Sequence, residues 1–175
     1  TSSYEPFKQK YFHGDAELIR KFIEIEDRSS RGEITLEEAE HGFAELAGIP
    51  FEQCVYELAQ NPRNESLLAY ISESLKGQYK IGFLSNVAKD RTHELFTDAD
   101  IALFDDMILS FQVGMAKPQP EIFSLATERL GLLPSECVFV DDLSKYLVGA
   151  KEAGMHTVLF TDTEQFKRDL ESLLK

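Results

Sequence analysis

Asp141 and Asp142 stand side by side directly after the apolar run Cys137, Val138, Phe139 and Val140, and helix-like sequence follows them. Such a run reads as a buried strand, and open α/β sheets bind ligands at the carboxyl ends of their strands. Adjacent carboxylates repel; a divalent cation offsets them, and hard oxygen donors suit Mg²⁺. Two further pairs hold comparable positions upstream. Ser85 and Asn86 close one apolar run, where a hydroxyl and exposed backbone N–H groups can hold an anionic oxygen. Lys117 and Pro118 come after another, with Pro120 opening a helix. Each upstream pair alone also reads as ordinary turn and cap chemistry. What they share is a place just beyond successive strands, so Leu84, Leu109 and Val140 are expected to end along one sheet edge.

The elements that must carry these residues divide the chain in two. Residues up to about Asn61 are helical in pattern: Asp15 to Glu26 carries Leu18, Ile19, Phe22, Ile23 and Ile25, Thr35 opens a helix with Glu38 at capping-box spacing, and Phe51 to Gln60 forms a third. Pro62 and the polar run to Asn64 mark a boundary, and Asn64 suits the cap of a helix over Glu65 to Lys76. Strands and helices then alternate. Strands are predicted at Tyr79 to Leu84, Met107 to Leu109, Cys137 to Val140 and His156 to Phe160. Helices are predicted at Lys89 to Phe96, Pro120 to Leu130, Leu143 to Ala153 and Thr163 to Leu174. This is the pattern of an α/β fold with a parallel sheet covered on both faces. Gly48, Gly77, Gly131 and Gly154 each fall just past a predicted helix, as C-cap glycines do.

The chain has 175 residues and 43% apolar content, enough for one core with a small accessory lobe. Its formal charge of −13 repels polyanions, which excludes nucleic acid as the expected partner. The acids between Asp15 and Glu45 alternate with apolar residues and read as a solvated helix face. Cys54 and Cys137 lack a partner motif and read as buried, reduced thiols of a cytoplasmic protein. No apolar run approaches the length of a membrane span, and the residues from Thr1 onward do not follow the basic-then-apolar order of a signal peptide. Four scattered histidines read as structural or surface groups, as do Arg63 and Lys89. Phe7, Tyr11 and Phe12 read as core, like most of the 13 phenylalanines.

Taken in order, the strand ending in Ser85 and Asn86, the segment S-F-Q-V-G-M-A-K-P from Ser110 to Pro118, and V-F-V-D-D from Val138 to Asp142 resemble the haloacid-dehalogenase-like hydrolase superfamily. The resemblance is nearest to its small-capped phosphatases, among them bacterial sugar-phosphate phosphatases and the N-terminal domain of soluble epoxide hydrolases. It covers nearly the whole chain. It implies a Rossmann-like core over 63–175 and a helical cap over 1–62, the latter including G-E-I-T-L-E-E-A-E from Gly32 to Glu40. It also implies that Ser85 and the Asn86 backbone bind the transferring phosphoryl group, that Lys117 neutralises nucleophile and phosphate, and that Asp142 with Asp141 holds Mg²⁺. The expected substrate is a small phosphorylated metabolite, and the expected assembly a monomer or homodimer.

Two departures bear on chemistry. The family carries a D-x-D motif at the end of a central opening strand, one Asp attacking phosphorus and the other moving the proton. Here Asp15 follows Gly14 into a helix, so the expectation is that the strand and its nucleophile lie upstream of Thr1 or come from a separate segment. Tyr146 replaces the Asn or Asp that relatives often carry last in the fourth motif. Three readings follow: a Mg²⁺-dependent phosphatase working through an aspartyl-phosphate, a non-catalytic binding module that kept the fold, and a metal-independent dehalogenase. The paired acids argue against the last, because they would repel a substrate carboxylate.

Overall fold

The computed structural model describes residues 3–60 and 63–174, so the boundary expected at Pro62 lies outside the described residues. Four helices come first: α1 (Tyr4–Phe12), α2 (Ala16–Ser30), α3 (Leu36–Ala47) and α4 (Phe51–Leu58). Their ends follow from local chemistry. Asp15 caps α2 by accepting from the N–H groups of Glu17 and Leu18, which is a structural use of the residue that the sequence could not fit to a nucleophile. Thr35 and Glu38 form the expected capping box of α3, and Gly48 ends it at φ 66°. The apolar faces close on one aromatic core of Phe7, Phe12, Phe22 and Phe43, with Ala39 and Cys54 completing it. Phe22 and Phe43 stack with centroids 4.1 Å apart. Tyr11 sits at the edge and donates its hydroxyl to Glu57.

Asn64 caps α5 (Glu65–Tyr70) through the Leu67 N–H, after which the predicted helix widens into a π-helical turn over Ile71–Leu75. The first strand, β1 (Gly82–Ser85), begins later than the predicted Tyr79. The cause is a side chain: the Asp105 carboxylate accepts the Ile81 N–H at 2.8 Å, and the Asp105 N–H donates to the Ile81 carbonyl at 2.7 Å. The helix predicted over Lys89–Phe96 shrinks to one turn, α6 (Thr92–Leu95), because Asp90 accepts from both the backbone and the hydroxyl of Thr92. A second capping box, Thr97 with Asp100, starts α7 (Asp98–Ile101). Then follow β2 (Asp106–Leu109), α8 (Ser110–Val113), α9 (Pro120–Leu130), a 3₁₀ turn over Pro134–Glu136, β3 (Val138–Asp141), α10 (Ser144–Glu152), β4 (His156–Leu159) and α11 (Thr163–Leu173).

The strands form two parallel pairs rather than one continuous sheet. β1 lies beside β2 with Ser85 opposite Leu109, and β3 lies beside β4 with Asp141 opposite Leu159. One cluster, including Ile122, Phe123, Phe139 and Leu147, packs α9 and α10 on the sheet; another, Leu75, Val158, Phe166 and Leu170, packs the π-helical turn and α11. The result is a Rossmann-like α/β layer structure with a helical cap. Among the described residues no strand joins β1 to β3. Both strands instead border a cavity of about 790 Å³, lined by Phe83, Leu84, Val138, Val140, Leu75 and Phe166 among others. No described helix is long and apolar enough to cross a membrane.

Candidate active site at the carboxyl ends of the strands

The cavity runs along β1 and β3 to their carboxyl ends, where Ser85, Asn86, Lys117, Asp141 and Asp142 all line it. Ser85 is the last residue of β1, half-buried, and its hydroxyl makes no hydrogen bond among the described residues. Asn86 is fully engaged. Its Nδ2 donates to the Lys117 carbonyl at 2.9 Å, and the Lys117 N–H donates to its Oδ1 at 2.8 Å. One residue on, the Val87 N–H donates to Ser110 Oγ at 3.0 Å, while the Ser110 hydroxyl donates back to the Val87 carbonyl at 3.1 Å. The loop after β1 is thereby tied at two points to the segment after β2.

Lys117 is only 8% exposed. Its Nζ donates to Asp141 Oδ2 at 2.6 Å and lies 4.8 Å from the Tyr146 ring centroid and 5.5 Å from that of Phe139. A buried ammonium needs such partners, because its desolvation would otherwise dominate. The other Asp141 oxygen accepts the Leu143 N–H at 2.9 Å, which shapes the turn into α10. Tyr146 is buried; burial, then the carboxylates of Glu26 and Asp141, push its phenol far above the ordinary value, against a hydrogen bond from Asn86 that works the other way. The position that departs from the family pattern thus supplies a ring under Lys117 rather than an oxygen for a cation. α10 reaches this close because Gly149 has no side chain: a Cβ there would lie 1.8 Å from the Pro118 carbonyl oxygen.

The donor set fits a lightly held Mg²⁺. Asp142 is exposed and makes no hydrogen bond or ion pair among the described residues, so both its oxygens are free. Asp141 has committed one oxygen to Lys117 and the other to Leu143. No group of three or more His, Cys, Asp or Glu gathers as a cage among the described residues. One or two carboxylates with water and a substrate phosphate is the usual Mg²⁺ arrangement.

The cap contributes groups that the sequence did not single out. Glu26 on α2 and Glu40 on α3 line the same cavity without hydrogen-bond or ion-pair partners among the described residues. Burial raises the pKa of both carboxyls. They correct the reading of the cap acids as a uniformly solvated face; only their positions on the inward sides of α2 and α3 could have marked them out. Arg63 pairs with Asp100 at 3.1 Å and Lys89 lies 3.9 Å from Glu94, and both also border the cavity. A D-x-D spacing occurs at Asp98 and Asp100, but on α7, where Asp100 serves Thr97 and Arg63. Cys54 and Cys137 are buried and unbonded, and burial pushes the Cys54 thiol up to about 12.

A Rossmann-like core with a helical cap is the fold shared by a class of hydrolases. The model of the haloacid dehalogenase-like hydrolases matches residues 2–154, and the chain belongs to that family. It is 43% identical over 70 residues to bifunctional epoxide hydrolase 2 of Sus scrofa, a stretch covering 40% of this chain and 13% of that protein. It is 46% identical over 56 residues to glyceraldehyde 3-phosphate phosphatase of Methanopyrus kandleri, covering 31% of this chain and 24% of the relative. The matched stretch is thus a minor part of either relative's length. Among solved structures, a HAD family enzyme of Bacteroides thetaiotaomicron, in complex with magnesium and inorganic phosphate, superposes with a TM-score of 0.63 at 26% identity. That likeness covers 91% of this chain and 85% of the other.

Proposed function

We propose that the protein is a Mg²⁺-dependent phosphatase acting on a small phosphomonoester such as a sugar phosphate, through an aspartyl-phosphate whose Asp comes from a segment preceding Thr1. The supporting observation is that the free hydroxyl of Ser85, the buried ammonium of Lys117 and the Asp141 and Asp142 pair line one cavity at the carboxyl ends of the strands. Residues 1–62 act as the cap and 63–175 as the catalytic core.

Phosphoryl transfer asks mainly for positioning and charge compensation around three equatorial oxygens. Ser85 Oγ and the Asn86 backbone N–H donate to a phosphoryl oxygen. Lys117 balances the anion and the attacking carboxylate while Asp141 keeps its ammonium in place. Asp142, with Asp141, would hold Mg²⁺, which when bound supplies Lewis-acid charge stabilisation and a template for the phosphate. The apolar slot between β1 and β3 suits one more parallel strand, whose end would bring an Asp beside Ser85 and Asp141. From the cap, Glu26 and Glu40 offer acceptors for the hydroxyls of a polyol leaving group.

The non-catalytic reading is favoured by one observation: among the described residues no D-x-D motif stands at a strand end. Phosphate release from a panel of small phosphomonoesters, with Mg²⁺ or with chelator, separates the two. Protein that includes the segment before Thr1 is expected to release phosphate only with Mg²⁺, and the Lys117→Ala variant to lose about a hundredfold or more in rate. No release from the extended protein, or release unaffected by Lys117→Ala, overturns the proposal.

A further inference from the structure

The role given to the residue after Ser85 can be taken further. The Asn86 carboxamide is engaged by main chain at both its nitrogen and its oxygen. It makes a two-point clasp on the backbone of Lys117, 31 residues away, donating at 2.9 Å and accepting at 2.8 Å. Beyond that clasp the lysine side chain is buried, with Tyr146 and Phe139 rings near its ammonium and Asp141 at its end. A lysine stem has four rotatable carbons and loses much freedom when its charge is fixed. Fixing the backbone at its root narrows the set of positions the charge can take, and electrostatic stabilisation depends on such prior placement.

We propose that Asn86 is a positioning residue: its side chain holds the Lys117 main chain so that the ammonium meets the anion site, and does not itself contact substrate. The proposal rests on the phosphatase reading for its consequence, and on the clasp alone for its geometry. Two measurements on protein that includes the segment before Thr1 separate them. The first is the affinity for inorganic phosphate in the presence of Mg²⁺, measured by calorimetry for wild type, Asn86→Ala, Lys117→Ala and the double variant. Asn86→Ala is expected to weaken binding about tenfold, and the double variant to be no weaker than Lys117→Ala, because a residue acting through lysine has nothing to act on once lysine is gone. Losses that add would mean direct contact with the anion and overturn the proposal.

The second measurement is the rate at which an acetylating reagent modifies the Lys117 amine, read by peptide mass spectrometry without any ligand. Lys117 as a whole is 8% exposed and its amine is expected to react slowly; Asn86→Ala should speed it several-fold. An unchanged rate overturns the proposal whatever the affinities show. A faster rate in a protein that binds no phosphate leaves the clasp standing and removes the phosphatase reading. Asn86→Asp, isosteric but lacking the Nδ2 donor, should give an intermediate rate, and it replaces the alanine variant if that one fails to fold.

Discussion

The helical cap and the sheet-bearing core solve the same packing problem to different degrees. In the cap, α1 to α4 close on Phe7, Phe12, Phe22 and Phe43, all at most 3% exposed, whose rings meet edge to face, tilted or stacked. In the core, α9, α10 and α11 cover their strands, yet β1 and β3 each present an edge to a cavity of about 790 Å³. Edge strands that face an apolar space leave backbone donors and acceptors without partners, at about 1–3 kcal/mol for each unsatisfied group. The cap closes on its own side chains, whereas the core, among the described residues, leaves an apolar cavity between β1 and β3. The catalytic candidates lie on the incomplete half, at the rim of its gap.

The sharpest way to break that comparison is to damage both halves equally. Phe22 is wholly buried and meets Tyr4, Phe12 and Phe43 ring to ring. Phe22→Ala is expected to cost about 3–5 kcal/mol, because the close-packed cap cannot collapse around the hole. Leu170 on α11 is also buried, but it already borders the open space. Leu170→Ala should cost only about 2 kcal/mol, close to the transfer free energy alone. Urea denaturation followed by circular dichroism measures both, and equal losses would mean that the core is packed as tightly as the cap.

Gly149 tests the part of the core that is complete. A methyl group there would sit 1.8 Å from the Pro118 carbonyl oxygen and 2.9 Å from the Phe123 ring. Backbone cannot yield as a flexible side chain does, so Gly149→Ala should destabilise by about 3 kcal/mol and displace the loop that carries Lys117. The matching change at Gly48, which has open space around it, should cost about 1 kcal/mol from its positive φ alone. Thermal melts of the two variants check the difference.

How much of this was legible beforehand follows from the range of each interaction. Short-range signals were readable: Thr35 with Glu38, Asn64 before α5, and Pro120 opening α9 all act within a turn of chain. The candidate site was readable as an order of pairs, since Ser85, Lys117 and Asp141 each follow a strand that local pattern predicts. The absence of a strand between β1 and β3 was readable only through the family pattern. The clasp of Asn86 on Lys117, the contact of Gly149 with Pro118 and the capture of Ile81 by Asp105 were not readable, because each joins residues 24 to 31 positions apart through the fold. Glu26 and Glu40 were hidden for another reason: on an acidic amphipathic helix, composition does not tell which acid turns inward.

The smallest expected effect concerns the cap alone. Glu57 on α4 accepts from Lys10 at 2.8 Å, Tyr11 at 2.6 Å and Gln53 at 3.1 Å, which ties α4 to α1. The Lys10 bond first, then that of Tyr11, pulls its carboxyl down to about 2. A carboxylate with a depressed folded pKa stabilises fully above its unfolded value and loses that contribution as protons bind. The tie is therefore intact above about pH 4.5 and is given up between there and about pH 2. Because solvent reaches the pair, the loss should be about 1 kcal/mol. Glu57→Gln removes the titrating group, so the acid-induced drop in stability over that range should shrink by the same amount. An undiminished drop would place the acid sensitivity outside this tie and would mean that Glu57 does not hold α4 to α1 in the way its three bonds suggest.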